Sequence, residues 1–319
     1  MKRITGALNL LKQRLDPYLR PLVDAEWVSR FNVRDLAEIQ IHSNRCSTPL
    51  SVAIPHYRNP EQIHLALRHL VRDRRVSEIL IVDDGSPEED FATLTTYLAP
   101  YRERIGLVRY SQNAGALVTK VQATGLCSND WVLILDGDNT VTPGYLDAFF
   151  ELEGWDSLSL YASPYPFPSF DFRDSPYGVS PGWEELLTAA GEQGKWVGAL
   201  WNDGNYIVPR ESFVQALTPW LRTSVAAVDV LFANYVWFSR GGRLSFLQGT
   251  HYIHRVHDRS FWKRERHTSQ EATRWIRNRL KNELRVTEGP PLPVTEGVAV
   301  SREPEWVWRV EVDAVPLNA

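Results

Sequence analysis

The sequence has few cysteines and no long apolar run. Among its 319 residues there are only two cysteines, Cys46 and Cys127, and their separation matches neither a disulfide framework nor a metal-binding motif. Scarce cysteine is typical of proteins from a reducing compartment. No stretch reaches the 18 apolar residues of a membrane-spanning helix, and the nearest candidate, residues 223–239, has Asp229 at its centre. We therefore expect neither a disulfide-stabilised protein nor a transmembrane one.

A signal peptide and a strong net charge are also missing. Lys12 and Arg14 interrupt the apolar residues near the start, and no small-residue cleavage site follows them, so we expect a cytoplasmic protein and not a secreted one. The formal net charge of −4 gives no indication of nucleic-acid binding, and we expect no nucleic-acid partner.

Aromatic residues, in contrast, are abundant. The chain contains twelve each of Trp, Tyr and Phe, and several of the tryptophans lie in polar segments rich in Gly and Pro. Aromatic faces in a polar cleft suit flat, amphipathic ligands such as nucleotide bases and sugar rings. The composition therefore favours a ligand of that kind.

Short apolar strands alternate with helices in the first half of the chain. This alternation predicts an α/β fold with a doubly wound, mostly parallel sheet flanked by helices. Asn59 is the expected N-cap of the first of these helices, with Pro60 at its first position. The predicted strands cover residues 51–55, 78–84, 105–110 and 131–135, and two further helices cover 88–98 and 117–126.

The remaining sequence differs from this alternating unit on both sides. We divide the chain into a helical extension at 1–48, the alternating unit at 49–150, an aromatic-rich half at 151–262, and a basic helix with a tail at 263–319. The aromatic-rich half includes a predicted helix at about 224–238.

Two acids follow the fourth predicted strand, where the sequence reads WVLILDGDN. Asp136 and Asp138 stand one residue apart at the carboxyl end of the strand, the edge at which open α/β sheets bind ligands. Two carboxylates this close repel each other unless a cation holds them, and oxygen ligands suit Mg²⁺ or Mn²⁺. On its own, an Asp-x-Asp pair is equally typical of an ordinary capped turn.

Special residues also follow the first two strands, at the same edge. The first strand ends in IPHYRN, with Pro55 and Tyr57, and the second ends in IVDDGSP, with Asp83 and Asp84. Each motif alone is compatible with a turn or with packing. Together with LDGDN, and with the Asn113-Ala114-Gly115 turn before the fourth strand, their order and spacing form a combined signal that is stronger than any one of these motifs.

In this combination, residues 49–260 resemble the family 2 glycosyltransferases with the GT-A fold. The resemblance implies an inverting transfer of sugar from a nucleotide-diphosphate sugar to a glycan or lipid-linked acceptor. Residues 49–150 would be the nucleotide-sugar-binding half, with a mixed, mostly parallel sheet, and 151–262 the acceptor-binding and catalytic half. The departures from the family pattern are Arg58, where an Asn is usual, and Val228, where a Glu is usual.

The resemblance assigns the donor site residue by residue. Pro55 and Tyr57 would line the pocket of the base, Asp84 would accept a hydrogen bond from a base N–H, and Asp83 would support the turn. Lys120 takes the position of the family's basic residue and would neutralise the diphosphate.

The metal and phosphate residues follow in the same way. Asp138 would hold Mn²⁺ or Mg²⁺ on the diphosphate, with Asp136 nearby. The segment HYIHRVHDRS resembles the family's Arg-x-His-x-x-Ser sequence, so His257 would be a third metal ligand and Arg255 would contact phosphate. His251 and His254 are further candidates for the metal, and an exposed or packed histidine is the alternative for each.

The resemblance makes Asp229 the base that takes the proton of the acceptor hydroxyl. Its apolar neighbours in AAVDVLFANYVWF suit a raised pKa, whereas a plain helix cap is the structural alternative. The acceptor site would include Trp201, Asn202, Asp203 and Asn205. Packing of a Trp-rich segment is the alternative for these side chains.

Residues 255–285 carry ten Lys or Arg against four acids. Such a segment suits peripheral contact with an anionic membrane at its inner face, where lipid-linked acceptors lie, although a solvated helix face explains it as well.

Two other functions compete with glycosyl transfer. LILDGDNT also matches the signature of haloacid-dehalogenase-type phosphohydrolases, with Asp136 as nucleophile, but the paired acids then belong downstream, whereas Asp83 and Asp84 lie upstream. A catalytically silent sugar-nucleotide or glycan-binding protein is the second alternative, favoured by Val228 and Arg58.

Overall fold

The computed structural model describes residues 49–191, 204–222, 225–256, 260–283, 285 and 302–310. The predicted helical extension at 1–48 lies outside these residues.

A mixed sheet forms the centre of the described structure. The strands are β1 (Leu50–His56), β2 (Val76–Asp83), β3 (Ile105–Arg109), β4 (Trp131–Ile134), β5 (Thr140–Val141), β6 (Ser159–Ala162), β7 (Pro166–Phe167), β8 (Ile207–Pro209), β9 (Arg243–Phe246), β10 (Tyr252–Ile253) and β11 (Glu305–Trp308). Within the described residues the eight strands of the central sheet run in the order β11-β3-β2-β1-β4-β8-β6-β9, and β5, β10 and β7 form a separate small sheet. Strands β1 to β4 are parallel to one another, whereas β8 and β11 join their neighbours antiparallel.

Helices cover both faces of this sheet. Side chains alternate between the faces along each strand, so Ala53 and Val82 pack with α3, α6 and α7, whereas Ile54 and Ile81 pack with α1, α2 and α4. The α-helices are α1 (Ile63–Leu70), α2 (Glu88–Leu98), α3 (Ala116–Leu126), α4 (Pro143–Phe150), α5 (Trp183–Gly191), α6 (Arg210–Leu217), α7 (Asp229–Ser239), α8 (Phe261–Arg264) and α9 (Arg266–Lys281).

This topology confirms the predicted doubly wound, mostly parallel sheet and creates a switch point between β1 and β4. From β1 the chain continues to β2 and β3 on one side and then returns to place β4 on the other side. Ligands of open α/β sheets bind at such a point, beyond the carboxyl ends of the strands. The residues after β1 and β4 therefore meet at one cleft.

Three local predictions were wrong. Asn59 does not cap α1: it has a left-handed backbone (φ 50°) without a side-chain cap bond, and a 3-10 turn, Pro60–Gln62, precedes the helix. The tight reversal after β1 uses the preceding residue too, because Arg58 also has a positive φ.

Asp229 does not lie in the middle of a helix. A 3-10 turn, Ala226–Val228, precedes it, with Ala227 outside helical geometry, so Asp229 is the first residue of α7. A carboxylate is favourable there because the amino end of a helix carries partial positive charge.

The predicted basic helix is interrupted at Glu265, whose backbone (φ −101°, ψ 30°) is not helical, and this divides it into α8 and α9. Among the described residues, no helix combines the length and apolar character needed to span a membrane.

Candidate active site

A cleft of about 720 Å³ opens at the switch point. It brings together predicted residues that lie far apart in the sequence, from the end of β1 to the segment after β10. Those that line it are Pro55, Tyr57, Asp84, Lys120, Asp136, Asp138, Asn205, Asp229 and Arg255. The predicted residues Trp201, Asn202, Asp203 and His257 lie outside the described part of the chain.

Lys120 occupies the centre of one end of the cleft, which we call the acid end (Lys120, Asp136, Asp138 and Asp229). Its Nζ lies 2.9 Å from Oδ1 of Asp136 and 2.8 Å from Oδ2 of Asp229. Burial alone would lower the pKa of Lys120, but the two carboxylates outweigh this effect and raise the pKa above its ordinary value. The ammonium is therefore charged and joins the two acids.

Asp136 is further fixed by amides. Its backbone N–H donates to Oδ1 of Asn205 at 2.8 Å, and the side-chain amides of Asn205 and Asn139 each lie 3.5 Å from its Oδ2. Asn205 is almost completely buried, so its amide supports Asp136 from within the cleft wall. The sequence placed Asn205 with the acceptor and gave no indication of this contact.

Arg255 organises the turn that carries Asp138. Its Nη1 donates to the carbonyl oxygen of Asp138 at 3.0 Å and to Oγ1 of Thr140 at 2.8 Å, and its backbone N–H donates to Oδ1 of Asn139 at 2.9 Å. The side chain of Asp138 is half-buried at the cleft. A single arginine thus connects the segment after β10 to the Asp-Gly-Asp turn.

The histidine candidates differ in position. His254 lines the cleft, and its ring stacks near that of Phe170, with centroids 5.7 Å apart. His251 is half-buried, and burial together with Arg173 lowers its pKa. No group of three or more histidine, cysteine or acidic side chains in the described ranges is arranged to hold a metal ion.

Asp84 follows β2, which lies on the other side of β1 from β4, and we call this part of the cleft the base end (Tyr57, Asp84 and Arg302). Its carboxylate accepts hydrogen bonds from the backbone N–H of Ala114 and of Gly115, both at 3.0 Å, and from the guanidinium of Arg302. Burial raises the pKa of Asp84, and the bonds from Ala114 and Arg302 oppose that shift.

Gly85 allows this contact. A Cβ at Gly85 would lie 2.7 Å from the carbonyl carbon of Gln112, and its φ is +71°. Glycine is therefore needed for the turn to approach the loop that leads into α3.

Asp83 has different partners from its neighbour because successive strand side chains point to opposite faces. The fully buried Asp83 contacts Nδ1 of His56 at 3.0 Å and accepts bonds from the backbone N–H and hydroxyl of Ser86, at 3.0 and 2.6 Å. Its carboxylate lies within the turn and is not among the described residues that line the cleft.

Arg302 was missed by the sequence interpretation. It lies in the tail, outside the motifs recognised in the sequence, and 218 residues separate it from its partner Asp84. The only available signal was the strand-like run WVWRVEV, of which Glu305–Trp308 forms β11.

Comparisons with known proteins agree with this geometry. Residues 51–177 match the model of the family described as Glycosyl transferase family 2. The chain is also 24% identical over 99 residues to the "Succinoglycan biosynthesis protein ExoU" of Rhizobium meliloti (strain 1021), a match that covers 31% of this chain and 29% of that protein. The match therefore spans less than a third of the length of that curated relative.

A solved structure has the same fold. The mannosyltransferase PcManGT from Pyrobaculum calidifontis, in complex with GDP-Man and Mn²⁺, has a TM-score of 0.51 and 14% identity, covering 88% of this chain and 75% of its own. TarS 1-349 of S. aureus has a TM-score of 0.49 and 16% identity, covering 72% of this chain and 64% of its own.

These findings confirm the predicted resemblance and the GT-A fold. The residues 51–177 that match the family 2 glycosyltransferase model include Asp83, Asp84, Asp136 and Asp138. The haloacid-dehalogenase alternative, with Asp136 as nucleophile, has no support in this family match.

Proposed function

We propose that the protein transfers a sugar from a nucleotide-diphosphate sugar to a hydroxyl of a glycan or lipid-linked acceptor, with inversion at the anomeric carbon. The observation that carries this proposal is the single cleft that holds Asp84 at one end and Asp136, Asp138 and Asp229 at the other. In the reaction the acceptor oxygen bonds to the anomeric carbon, the bond to the diphosphate oxygen breaks, and the nucleoside diphosphate leaves with that electron pair.

Asp229 accepts the proton of the acceptor hydroxyl in this mechanism. It lines the cleft, its side chain is only 9% exposed, and its Oδ2 lies 2.8 Å from Nζ of Lys120, so its carboxylate is held where an acceptor hydroxyl would meet it. Lys120 thus holds both Asp229 and Asp136, in addition to its predicted contact with the diphosphate.

Asp138 and Asp136 are the proposed ligands of Mn²⁺ or Mg²⁺, with His257 as the further ligand predicted from the sequence. The donor chemistry fits, since Mg²⁺ is commonly held by one or two carboxylates together with substrate phosphates, without a full protein cage. When bound, the cation stabilises the negative charge that develops on the leaving diphosphate. Arg255 positions the turn and is the candidate for a direct phosphate contact.

The base end of the cleft would receive the nucleoside, with Pro55 and Tyr57 along the ring and Asp84 accepting a base N–H. The relatives support the substrate class: PcManGT was solved with GDP-Man and Mn²⁺, and ExoU is named for succinoglycan biosynthesis. Trp201, Asn202 and Asp203 remain the predicted acceptor residues.

A basic surface borders the cleft. Phe261 and Arg264 of α8 and Thr273 and Arg277 of α9 line the cleft, and the two arginines are exposed. We include peripheral contact with an anionic membrane through this segment in the proposal, because a lipid-linked acceptor would approach from such a surface.

The test is turnover of a panel of nucleotide sugars with Mn²⁺ or Mg²⁺, comparing Asp138→Ala with Asp130→Ala. Asp130 is an exposed acid just before the opposite end of β4, so it controls for removal of a carboxylate. Loss of the metal carboxylate should lower kcat/KM by about a hundredfold or more. The control should retain normal turnover.

Full activity of Asp138→Ala would refute the assignment of the metal site. Tight nucleotide binding by the unaltered protein without turnover of any sugar would instead favour the catalytically silent binding protein.

A further inference from the structure

Arg302 contacts Asp84 at the base end of the cleft without lining the cleft itself. Its side chain is 4% exposed, as is that of Asp84, and the two form an ion pair. The guanidinium also donates to the carbonyl oxygen of Gln112 and to Oε1 of Gln122, both at 2.5 Å, and lies 3.9 Å from the ring centroid of Tyr110. Five N–H donors in a rigid plane make arginine suited to such a multiple contact.

The strand that follows anchors this arginine to the sheet. β11 pairs antiparallel with β3, with Trp306 opposite Val108, and Trp306 packs on the core cluster that includes Tyr110. Arg302 is therefore held in place by the sheet edge, although it lies far outside the matched residues 51–177.

The bonds to Asp84 determine what the carboxylate still offers to a ligand. A carboxylate has about four lone-pair sites, and three of those of Asp84 are directed at Ala114, Gly115 and Arg302. Oδ1 accepts two of the three bonds and Oδ2 accepts one, so Oδ2 is the less occupied of the two oxygens.

We propose that Arg302 is a positioning residue for nucleotide binding: it fixes the Asp84 carboxylate so that Oδ2 accepts the N–H of the donor's base. Residues 302–308 then contribute to the donor site, because they hold Arg302 against Asp84. Arg302 does not itself line the cleft, so it acts through Asp84. This inference rests on the proposed function, in which Asp84 contacts the base.

The experiment measures binding of UDP, GDP, CDP and ADP, each with Mn²⁺, by titration calorimetry. Arg302→Met keeps a long aliphatic chain over Tyr110 but removes every donor. Arg302→Lys keeps the charge with a single point of contact. Arg309→Ala is the matched control, because Arg309 is an exposed arginine of the same segment that stacks on Trp306, 4.4 Å from its ring centroid.

Arg302→Met should weaken binding of the preferred nucleotide about tenfold to a hundredfold, as expected for loss of a hydrogen bond to a charged group. Arg302→Lys should recover part of this loss, and Arg309→Ala should bind normally. With a nucleotide-sugar substrate, the KM for the donor should rise in Arg302→Met while kcat changes less than threefold.

A merely structural role gives a different pattern. If Arg302→Met lowered the Tm but left the Kd of a folded sample unchanged, or if Arg309→Ala weakened binding equally, the proposal would be wrong. Binding without turnover by the unaltered protein would refute only the proposed transfer reaction. Absence of binding to all four nucleotides would refute the inference together with the nucleotide pocket.

Discussion

Each end of the cleft contains a buried ion pair between an aspartate and a basic side chain, but the two pairs have different surroundings. At the acid end, Asp229 pairs with Lys120, and at the base end Asp84 pairs with Arg302, with every one of these side chains at least 89% buried. Lys120 has Asp136 as a second partner, and the side chain of Asp136 is 33% exposed, so this end is open to a ligand. Asp84, in contrast, accepts hydrogen bonds from three protein donors, which fix its carboxylate at the cleft.

The difference in net charge matches the two halves of a nucleotide-diphosphate sugar. The acid end as defined holds three carboxylates and one ammonium, which favours a further cation there, whereas Arg58, Arg255, Arg264 and Arg277 line the cleft outside these four residues. At the base end the single acid is balanced by Arg302, which suits an uncharged base. The nucleoside would therefore bind at the charge-balanced base end and the metal at the acid end, and this would orient the donor in the cleft.

The largest expected effect comes from exchanging the two buried acids for amides. Asp229→Asn removes the proposed base and should lower kcat by about 10²–10⁴-fold, while the KM for the donor stays within threefold. Asp84→Asn should do the reverse, raising the donor KM about tenfold or more, because the amide has a single acceptor oxygen for which Arg302, Ala114 and Gly115 compete with the base. Steady-state kinetics of both variants measures the split.

If both substitutions lowered kcat alone, or both raised KM alone, the two ends would not have the separate roles that the geometry indicates. Nucleotide titrations provide the control that each variant is folded.

A smaller effect is expected when the lysine of the acid end is removed. Lys120→Met leaves Asp229 buried without its cation, and breaking a buried ion pair costs about 3–5 kcal/mol of unfolding free energy. Part of this should return in Lys120→Met with Asp229→Asn, because the second change removes the uncompensated charge. Denaturant unfolding of the four combinations forms a double-mutant cycle.

A cycle with no coupling between the two positions would contradict the ion pair seen at 2.8 Å. Catalysis should be absent from the double variant even where its stability recovers, which separates the structural contribution of Lys120 from the catalytic contribution of Asp229.

The local sequence predicted the acids that follow strands in both parts of the cleft. Asp136 and Asp138 follow an apolar strand directly, and Asp83 and Asp84 follow another, so strand pattern and topology place them at one edge without any knowledge of tertiary contacts. The helix Glu88–Leu98 was predicted with its bounds because its length and pattern are local.

Contacts that depend on packing could not be predicted in this way. Arg302 reaches Asp84 only because β11 joins the edge of the sheet, and Asn205 supports Asp136 only because β8 lies beside β4. Asp229 was assigned to the middle of a helix because AAVDVLF is continuously apolar around it, and periodicity does not show that the backbone changes from 3-10 to α at that residue.

The smallest expected effect concerns the surface beside the cleft. Along the exposed side of α9, Arg266, Arg274 and Lys281 form a basic face, whereas the base end is bounded by β11. Replacing these three with Gln should weaken binding to vesicles of anionic lipid by about fivefold per charge removed at low salt, since each surface cation contributes about 1 kcal/mol. Vesicle sedimentation measures this, with uncharged lipid vesicles for comparison.

The matched control removes three arginines from another surface, Arg72, Arg74 and Arg102, which are also exposed. Equal loss of vesicle binding in both triple variants would mean that net charge alone drives the association. Loss only in the α9 variant, with unchanged hydrolysis of a water-soluble nucleotide sugar, would place the membrane on the same side as the acid end. The lipid-linked acceptor would then reach Asp229 without passing the nucleoside, because the two substrates would enter the cleft from opposite ends.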